Sequence, residues 1–206
     1  IMKKLLLATA ATALMAGSVS AQEIKIGIIL GFTGPLESIT PSMAAGAEMA
    51  IAEINAAGTL LDGANVTSEN VNAIMGADCS GVTSAILQNV ARPNGVVMIS
   101  PSATSPGFTT AEDDGLFFRT APSDARQGVV MTEVLMDRGI TSVAVTYTNN
   151  DYGKGLADSF EAAFVEAGGT VTINVSHEDG KADYSSEVAS LASAGGDVLV
   201  VAGYTD

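Results

Sequence analysis

Short apolar runs alternate along this chain with stretches whose apolar residues recur at helical spacing. Ile24 to Leu30 is nearly continuous in apolar residues, the pattern of a strand covered on both faces. Gly31-Phe32-Thr33-Gly34-Pro35 forms the turn after it. From Ser42 to Ala57, Met43, Ala47, Ala50, Ile51 and Ile54 share one helical face, and Gly58 stops the helix. The same reading predicts strands at Val71–Met75, Val96–Ile99, Ser142–Tyr147, Val171–Val175 and Val198–Ala202, with a short extended piece at Leu116–Arg119. Helices fall at Ser80–Ala91, with Ser80 as N-cap, at Asp124–Arg138 and at Tyr152–Ala167. Asp183 is expected to cap a last helix running to Ala194. Strand and helix in alternation predict an α/β fold of parallel sheets flanked by helices.

One join breaks the pattern. A further strand at Ala64–Thr67 is separated from Val71 by Ser68-Glu69-Asn70 alone. Neighbouring parallel strands need a crossover of a dozen or more residues. Either Ala64–Thr67 is not a parallel strand, or a helix is missing near 68–70. Cys79, the single cysteine, bears on the choice: its partner lies in such a missing segment, or it is a small buried thiol acting as a hydrophobe.

Residues 1–21 read as a secretory leader. Lys3 and Lys4 form a charged start, Leu5 to Ala16 an apolar run too short to span a bilayer, and Val19-Ser20-Ala21 a cleavage site. The mature chain is expected to begin at Gln22, and an extracytoplasmic location follows, with no insertion of the mature chain into the membrane. Charge names no ligand, because solvated acidic faces are common in secreted proteins. The chain carries 9 Lys and Arg against 23 Asp and Glu, a net −14, which excludes nucleic acid and anionic lipid as partners. Trp is absent and aromatics make up 5%, so the core is built from aliphatic residues and Ala.

Two small-residue loops carry the candidate chemistry. Gly76-Ala77-Asp78-Cys79-Ser80-Gly81 and Ser100-Pro101-Ser102-Ala103-Thr104 each follow a strand, and the first opens a helix. Such loops gather N–H groups and hydroxyls where a small anion, such as an amino-acid carboxylate, can sit. They hold no group that does chemistry on it. Asp78 either touches a cationic group or is a solvated loop acid. His177, beside Glu178 and Asp179 with no metal-like spacing, is read as a surface residue. Arg119 is expected to anchor a crossover by pairing with a carboxylate. No metal or cofactor is implied.

From Glu23 to Asp206 the motifs, in order, resemble the branched-chain amino-acid-binding (Leu/Ile/Val-binding) family of extracytoplasmic solute-binding proteins serving ABC importers. The resemblance rests on Ile26-Gly27-Ile28 to Gly34-Pro35, Gly46-Ala47-Glu48 with Ile54 to Gly58, and the two loops above. It continues through Phe118-Arg119-Thr120, Asp124 to Gly128, Asp151 to Gly155, Asp183-Tyr184-Ser185 and Gly203-Tyr204. It implies a two-lobed, doubly wound α/β protein that closes on its ligand: lobe 1 over 22–118, a hinge at 119–123, and lobe 2 over 124–206, incomplete by comparison with the family. Ser80 then binds the ligand carboxylate, Ser102 offers its carbonyl to the ammonium, Ala103 lies between, and Thr104 uses hydroxyl and N–H. Tyr152 and Tyr204 close from the other lobe, with Asp78 and Cys79 as further candidates. The family's cysteine at the position of Cys79 pairs with an earlier one. Ile39 stands where an aromatic often packs on the ligand, and the acidic residue that pairs with the ammonium falls beyond Asp206. Partners implied are a small amino acid and a membrane permease, with the carrier a monomer.

Two other classes compete. An enzyme on the same scaffold lacks its usual signatures: there is no Gly-x-Gly-x-x-Gly after the first strand, no phosphate-binding Gly-Lys-Ser/Thr and no Gly-x-Ser-x-Gly elbow. A sensory amino-acid or amide receptor domain of the same fold would ordinarily be tethered, whereas this N-terminus reads as cleavable.

Overall fold

The computed structural model describes residues 23–58, 65–67 and 71–204. The leader and the join at 68–70 lie outside the described residues. The elements run β1 (Glu23–Ile29), α1 (Thr40–Ala57), β2 (Asn65–Thr67), β3 (Ala73–Gly76), α2 (Ser80–Ile86), α3 (Arg92–Asn94), β4 (Val97–Ser100) and β5 (Phe117–Arg119). They continue with α4 (Asp124–Asp137), β6 (Ser142–Thr148), α5 (Asp151–Glu166), β7 (Thr170–His177), α6 (Ser185–Ala194) and β8 (Val198–Ala202). Two all-parallel sheets result, ordered β2-β1-β3-β4-β5 and β7-β6-β8. The chain passes between them once among the described residues, from Arg119 to Asp124.

β2 is a parallel strand, which removes one of the two alternatives for the join; the other, a helix missing near 68–70, falls outside the described residues. β2 pairs with the first half of β1, Glu23 to Lys25, while β3 pairs with the second half, Ile26 to Ile29, on the opposite side.

Each sheet has its own core. In the first, Ile74, Leu87, Ala91, Met98 and Ala103 pack with Phe108 and Phe117, whose rings stack at 4.7 Å. In the second, Val143, Val145 and Val200 meet Leu156, Phe160 and Phe164 from α5. The predicted Ser80–Ala91 helix is longer and less regular than its periodicity indicated. A π-helical turn over Leu87–Ala91 joins α2 to α3, and it keeps both Leu87 and Ala91 wholly buried against β4. Two glycines fix close approaches. Gly76 holds φ at +129°, and a Cβ there would stand 2.0 Å from the Ile29 carbonyl oxygen, so only glycine lets β3 end flush against β1. Gly128 lets α4 press on α5, where a Cβ would stand 2.8 Å from the Phe160 nitrogen.

Three local expectations change. Ser80 is the first residue of α2, and Cys79, extended at φ −79° and ψ 136°, is the N-cap. Tyr184, not Asp183, occupies the cap position of α6, although an Asp183 carboxylate oxygen still accepts the Ser185 N–H at 2.9 Å. His177 is not a solvated surface residue. Its Nδ1 lies 2.8 Å from Thr146 Oγ1 and its Nε2 3.4 Å from Thr148 Oγ1, with Tyr184 edge-on to the ring. Its position at the end of β7 tucks it against β6.

Gly128→Val is expected to force α4 off α5 and lower stability by about 1–3 kcal/mol. Gly46 sits exposed inside α1 with open space around it. Gly46→Ala should raise stability by roughly 0.5–1 kcal/mol. Urea unfolding of the two variants beside the wild type checks both signs.

Candidate functional site

A cleft of about 230 Å³ opens where the carboxyl ends of both sheets meet. That is smaller than the ~300–1,000 Å³ of drug-sized sites and suits a small metabolite. From the first sheet, Asp78, Cys79 and Ser80 line it, with Ser102 and Thr104 from the loop after β4. Tyr152 from the first turn of α5 and Tyr204 after β8 face them. Leu36 and Ile39, before α1, add an apolar side. Asp124 and Gln127 of α4 complete the lining, and neither was singled out as a site residue from the sequence. The two sides touch where Pro106 packs on Gly155 of α5; a Cβ at Gly155 would stand 2.8 Å from the proline Cδ.

Asp78 is neither a solvated acid nor free. It is 4% exposed, and its carboxylate accepts the Gly31 N–H at 2.8 Å, the Thr40 hydroxyl at 3.1 Å and the Cys79 N–H at 2.9 Å. One buried carboxylate thus ties the β1 turn, the start of α1 and the approach to α2 together. Ala103 is wholly buried in the first core and does not line the cleft. Cys79 is a free thiol; burial, then the Asp78 charge, pushes its pKa up, so it stays protonated.

The hydroxyls differ in polarity. Ser80 Oγ accepts the Ser105 N–H at 3.2 Å, and among the described residues nothing takes its own proton, which leaves Ser80 a donor. Thr104 is the reverse. Its hydroxyl donates to Asp124 Oδ2 at 2.8 Å, and its carbonyl accepts the Asp124 N–H at 3.0 Å. With its proton committed, Thr104 Oγ1 presents lone pairs. Ser102 Oγ donates to the Asp78 carbonyl at 3.1 Å.

Arg119 sits behind this loop. It anchors the crossover, as expected, but through carbonyls rather than a paired carboxylate. Its Nη1 donates to the Ala103 oxygen at 3.3 Å and the Ser105 oxygen at 2.8 Å, and its Nη2 to Thr109 Oγ1 at 3.0 Å. Thr104 is therefore gripped on both flanks and on its own peptide. Across the cleft the tyrosine rings lie 5.2 Å apart, tilted 30°. Asn150 caps α5 through the Gly153 N–H and donates to Tyr204 Oη at 3.4 Å. Burial pushes the Tyr204 phenol up to about 12, and burial with the Asp124 charge raises Tyr152, so both tyrosines remain donors at neutral pH. Burial likewise raises the Asp124 carboxyl, against the opposing pull of the Thr104 hydrogen bond and the Arg119 charge.

Three comparisons place this architecture. The pattern of the periplasmic binding protein family matches residues 64–206. The Leu/Ile/Val-binding protein homolog 3 of Brucella melitensis is 35% identical over 97% of this chain and 60% of its own length. The chain thus spans about 60% of the length of that relative. Among solved structures, the branched-chain amino acid transporter substrate-binding protein LivJ of Streptococcus pneumoniae, in complex with isoleucine, superposes with a TM-score of 0.71 at 27% identity, covering 87% of this chain and 57% of that one. A solute-binding protein of an ABC transporter from R. palustris, in complex with benzoate, superposes with a TM-score of 0.74 at 18% identity, covering 87% and 55%. The last likeness is one of fold alone.

Asp124 sets a pH dependence. Its folded carboxyl binds a proton more tightly than the ~3.9 of an unfolded aspartate. Its contribution to stability is therefore full below that value and is lost as pH rises through the folded value. Asparagine carries no such charge. Asp124→Asn should gain stability relative to the wild type as pH rises above about 4 in urea melts without ligand. A gap that stays constant with pH contradicts the desolvation of Asp124.

Proposed function

The chain belongs to the periplasmic binding protein family, and we propose that it is an extracytoplasmic solute-binding protein of an ABC transporter that carries an amino acid with a branched-chain or other aliphatic side chain. The observation that carries this reading is the opposed polarity within one small cleft. Ser80 is a hydroxyl donor suited to a carboxylate, and Thr104 Oγ1 is an acceptor suited to an ammonium. Leu36 and Ile39 offer apolar surface for an aliphatic side chain. The Leu/Ile/Val-binding relative and the isoleucine complex support the same ligand class. The fold alone does not choose amino acids, since the R. palustris protein holds benzoate on it. The choice falls to the lining residues.

In this reading residues 22–118 form one lobe, 119–123 the hinge and 124–206 the visible part of the second lobe. Tyr152 and Tyr204 close over the ligand, and closure adds contacts that only the liganded state has. The cleft is a place to hold a zwitterion through charge-assisted hydrogen bonds, and the ligand leaves it unchanged. The leader at 1–21 directs export, and the liganded protein docks on a membrane permease, which completes import.

A thermal melt of the chain from Gln22 against a panel of amino acids tests the reading. Saturation at about 100-fold over Kd should add roughly 2.7 kcal/mol. Leucine, isoleucine or valine should raise the melting temperature, and Ser80→Ala and Thr104→Ala should each weaken that ligand by on the order of 10-fold or more. Amino acids that leave the melt unmoved, or variants that bind as the wild type does, defeat it.

A further inference from the structure

The carboxyl ends of the three strands of the second sheet meet in a cluster of polar side chains beside Gly203. Thr146 and Thr148 of β6 are 6% and 2% exposed. His177, at the end of β7, reaches both. Its Nδ1 lies 2.8 Å from Thr146 Oγ1 and its Nε2 3.4 Å from Thr148 Oγ1. Thr148 in turn donates its hydroxyl to Asp179 Oδ1 at 2.6 Å. A hydroxyl has one proton and an ionised carboxylate only accepts, so Thr148 Oγ1 meets His177 as an acceptor. The imidazole proton therefore sits on Nε2, and Nδ1 of the neutral ring takes the proton of Thr146. The direction of the whole series is fixed, from Thr146 through His177 and Thr148 to Asp179.

Thr148 is also the point on which the second side of the cleft rests. Its carbonyl accepts the Asn150 N–H at 2.7 Å, and a Cβ at Gly153 would stand 2.2 Å from that carbonyl oxygen. The first turn of α5, which carries Tyr152, therefore lies directly on Thr148. Its hydroxyl faces the end of β8: a Cβ at Gly203 would stand 3.3 Å from Thr148 Oγ1 and 3.5 Å from His177 Nε2. Tyr204 comes next, its phenol held by Asn150 at 3.4 Å. The Asn149 N–H binds the His177 carbonyl at 2.9 Å, and its side chain donates to Glu178 at 2.7 Å, which ties β6 to β7. We propose that the Thr146–His177–Thr148–Asp179 relay positions Tyr204, and with it the tyrosine side of the cleft, with His177 and Thr148 as positioning residues. Neither lines the cleft, so both act through their neighbours. This deepens the carrier reading and rests on it. The two threonine hydroxyls are buried from water, so a shift of Gly203 or of the β7 end leaves one of them unpaired. One arrangement of the three strand ends satisfies them all, and Tyr204 is carried by it.

His177 is the only histidine in the chain, so its ring nitrogens are read without ambiguity. Long-range proton–nitrogen spectra of the chain from Gln22, at about pH 8 and so above the ordinary range of histidine, should show the Nε2–H tautomer. Asp179 is exposed at the end of the relay. Asp179→Ala frees the Thr148 proton to turn toward Nε2, and the Nδ1–H share should rise. Thr148→Val keeps the shape and removes the hydroxyl, while Thr148→Ser keeps the hydroxyl. With labelled tyrosine, and Tyr204→Phe to identify the Tyr204 ring signal, Thr148→Val should move that signal and Thr148→Ser should leave it in place. Isothermal titration with leucine should show a loss on the order of 3- to 10-fold for Thr148→Val and recovery to within about 2-fold for Thr148→Ser. An Nδ1–H tautomer in the wild type, or a tautomer that Asp179→Ala leaves unchanged, overturns the relay. So does a Tyr204 signal or a leucine affinity that Thr148→Val leaves untouched, or an equal loss in the valine and serine variants; the carrier reading then stands. If the wild type binds none of leucine, isoleucine and valine, the carrier reading falls, and the tautomer and the Tyr204 signal still decide the relay.

Discussion

Two hydrogen bonds between Thr104 and Asp124, one through the peptide and one through the side chains, join the loop of the first sheet to the first helix of the second. The cleft depends on this junction. It fixes the separation of the hydroxyl-bearing loop from the α4 face, and it decides that Thr104 accepts rather than donates. Arg119 reinforces it from behind by holding the carbonyls on both sides of Thr104. The chain passes from the first sheet to the second right beside these bonds, between Arg119 and Asp124.

Asp78 does comparable work within the first sheet. Gly31 and Thr40, 47 and 38 positions away in the chain, converge with the adjacent Cys79 N–H on a single carboxylate. A buried charge is tolerated there because N–H and O–H donors replace its water. The consequence for the cleft is that Ser80 starts α2 at a fixed place, and Ile39, just before α1, is carried to the rim. The apolar rim and the polar floor thus share one anchor. On the second side, the Asn150 cap of α5 does two jobs, holding the Gly153 N–H and steadying the Tyr204 phenol.

Much of the fold was legible from local pattern. The 3.6-residue stripe of α5 and the valines of β6 are signals carried within one element, and burial follows from them, whereas β1, although its apolar run suggested a strand covered on both faces, is only half-buried and leaves Ile29 exposed. Tyr152 and Tyr204 line the same cleft as Ser80 and Thr104. Asp124 and Gln127 were not legible as cleft residues. An acidic residue in the first turn of a helix, after a serine cap, is what any helix start favours, so nothing local set Asp124 apart. His177 was misread for a related reason: its neighbours in sequence are acidic and polar, while its hydrogen-bond partners, Thr146 and Thr148, come from the adjacent strand.

By itself the amino-acid order determined the alternation of strands and helices, the parallel sheets, and the placing of small hydroxyl-rich loops and tyrosines at strand ends, because each of these follows from residues within a few positions of one another. Tertiary structure alone decided how the hydrogen-bonding capacity of those loops is spent. Asp78 gives up its oxygens to residues up to 47 positions away, Ser80 accepts from a residue 25 away, and Thr104 donates to one 20 away. A hydroxyl is donor or acceptor according to the partner it already has, and that partner is brought near only by folding.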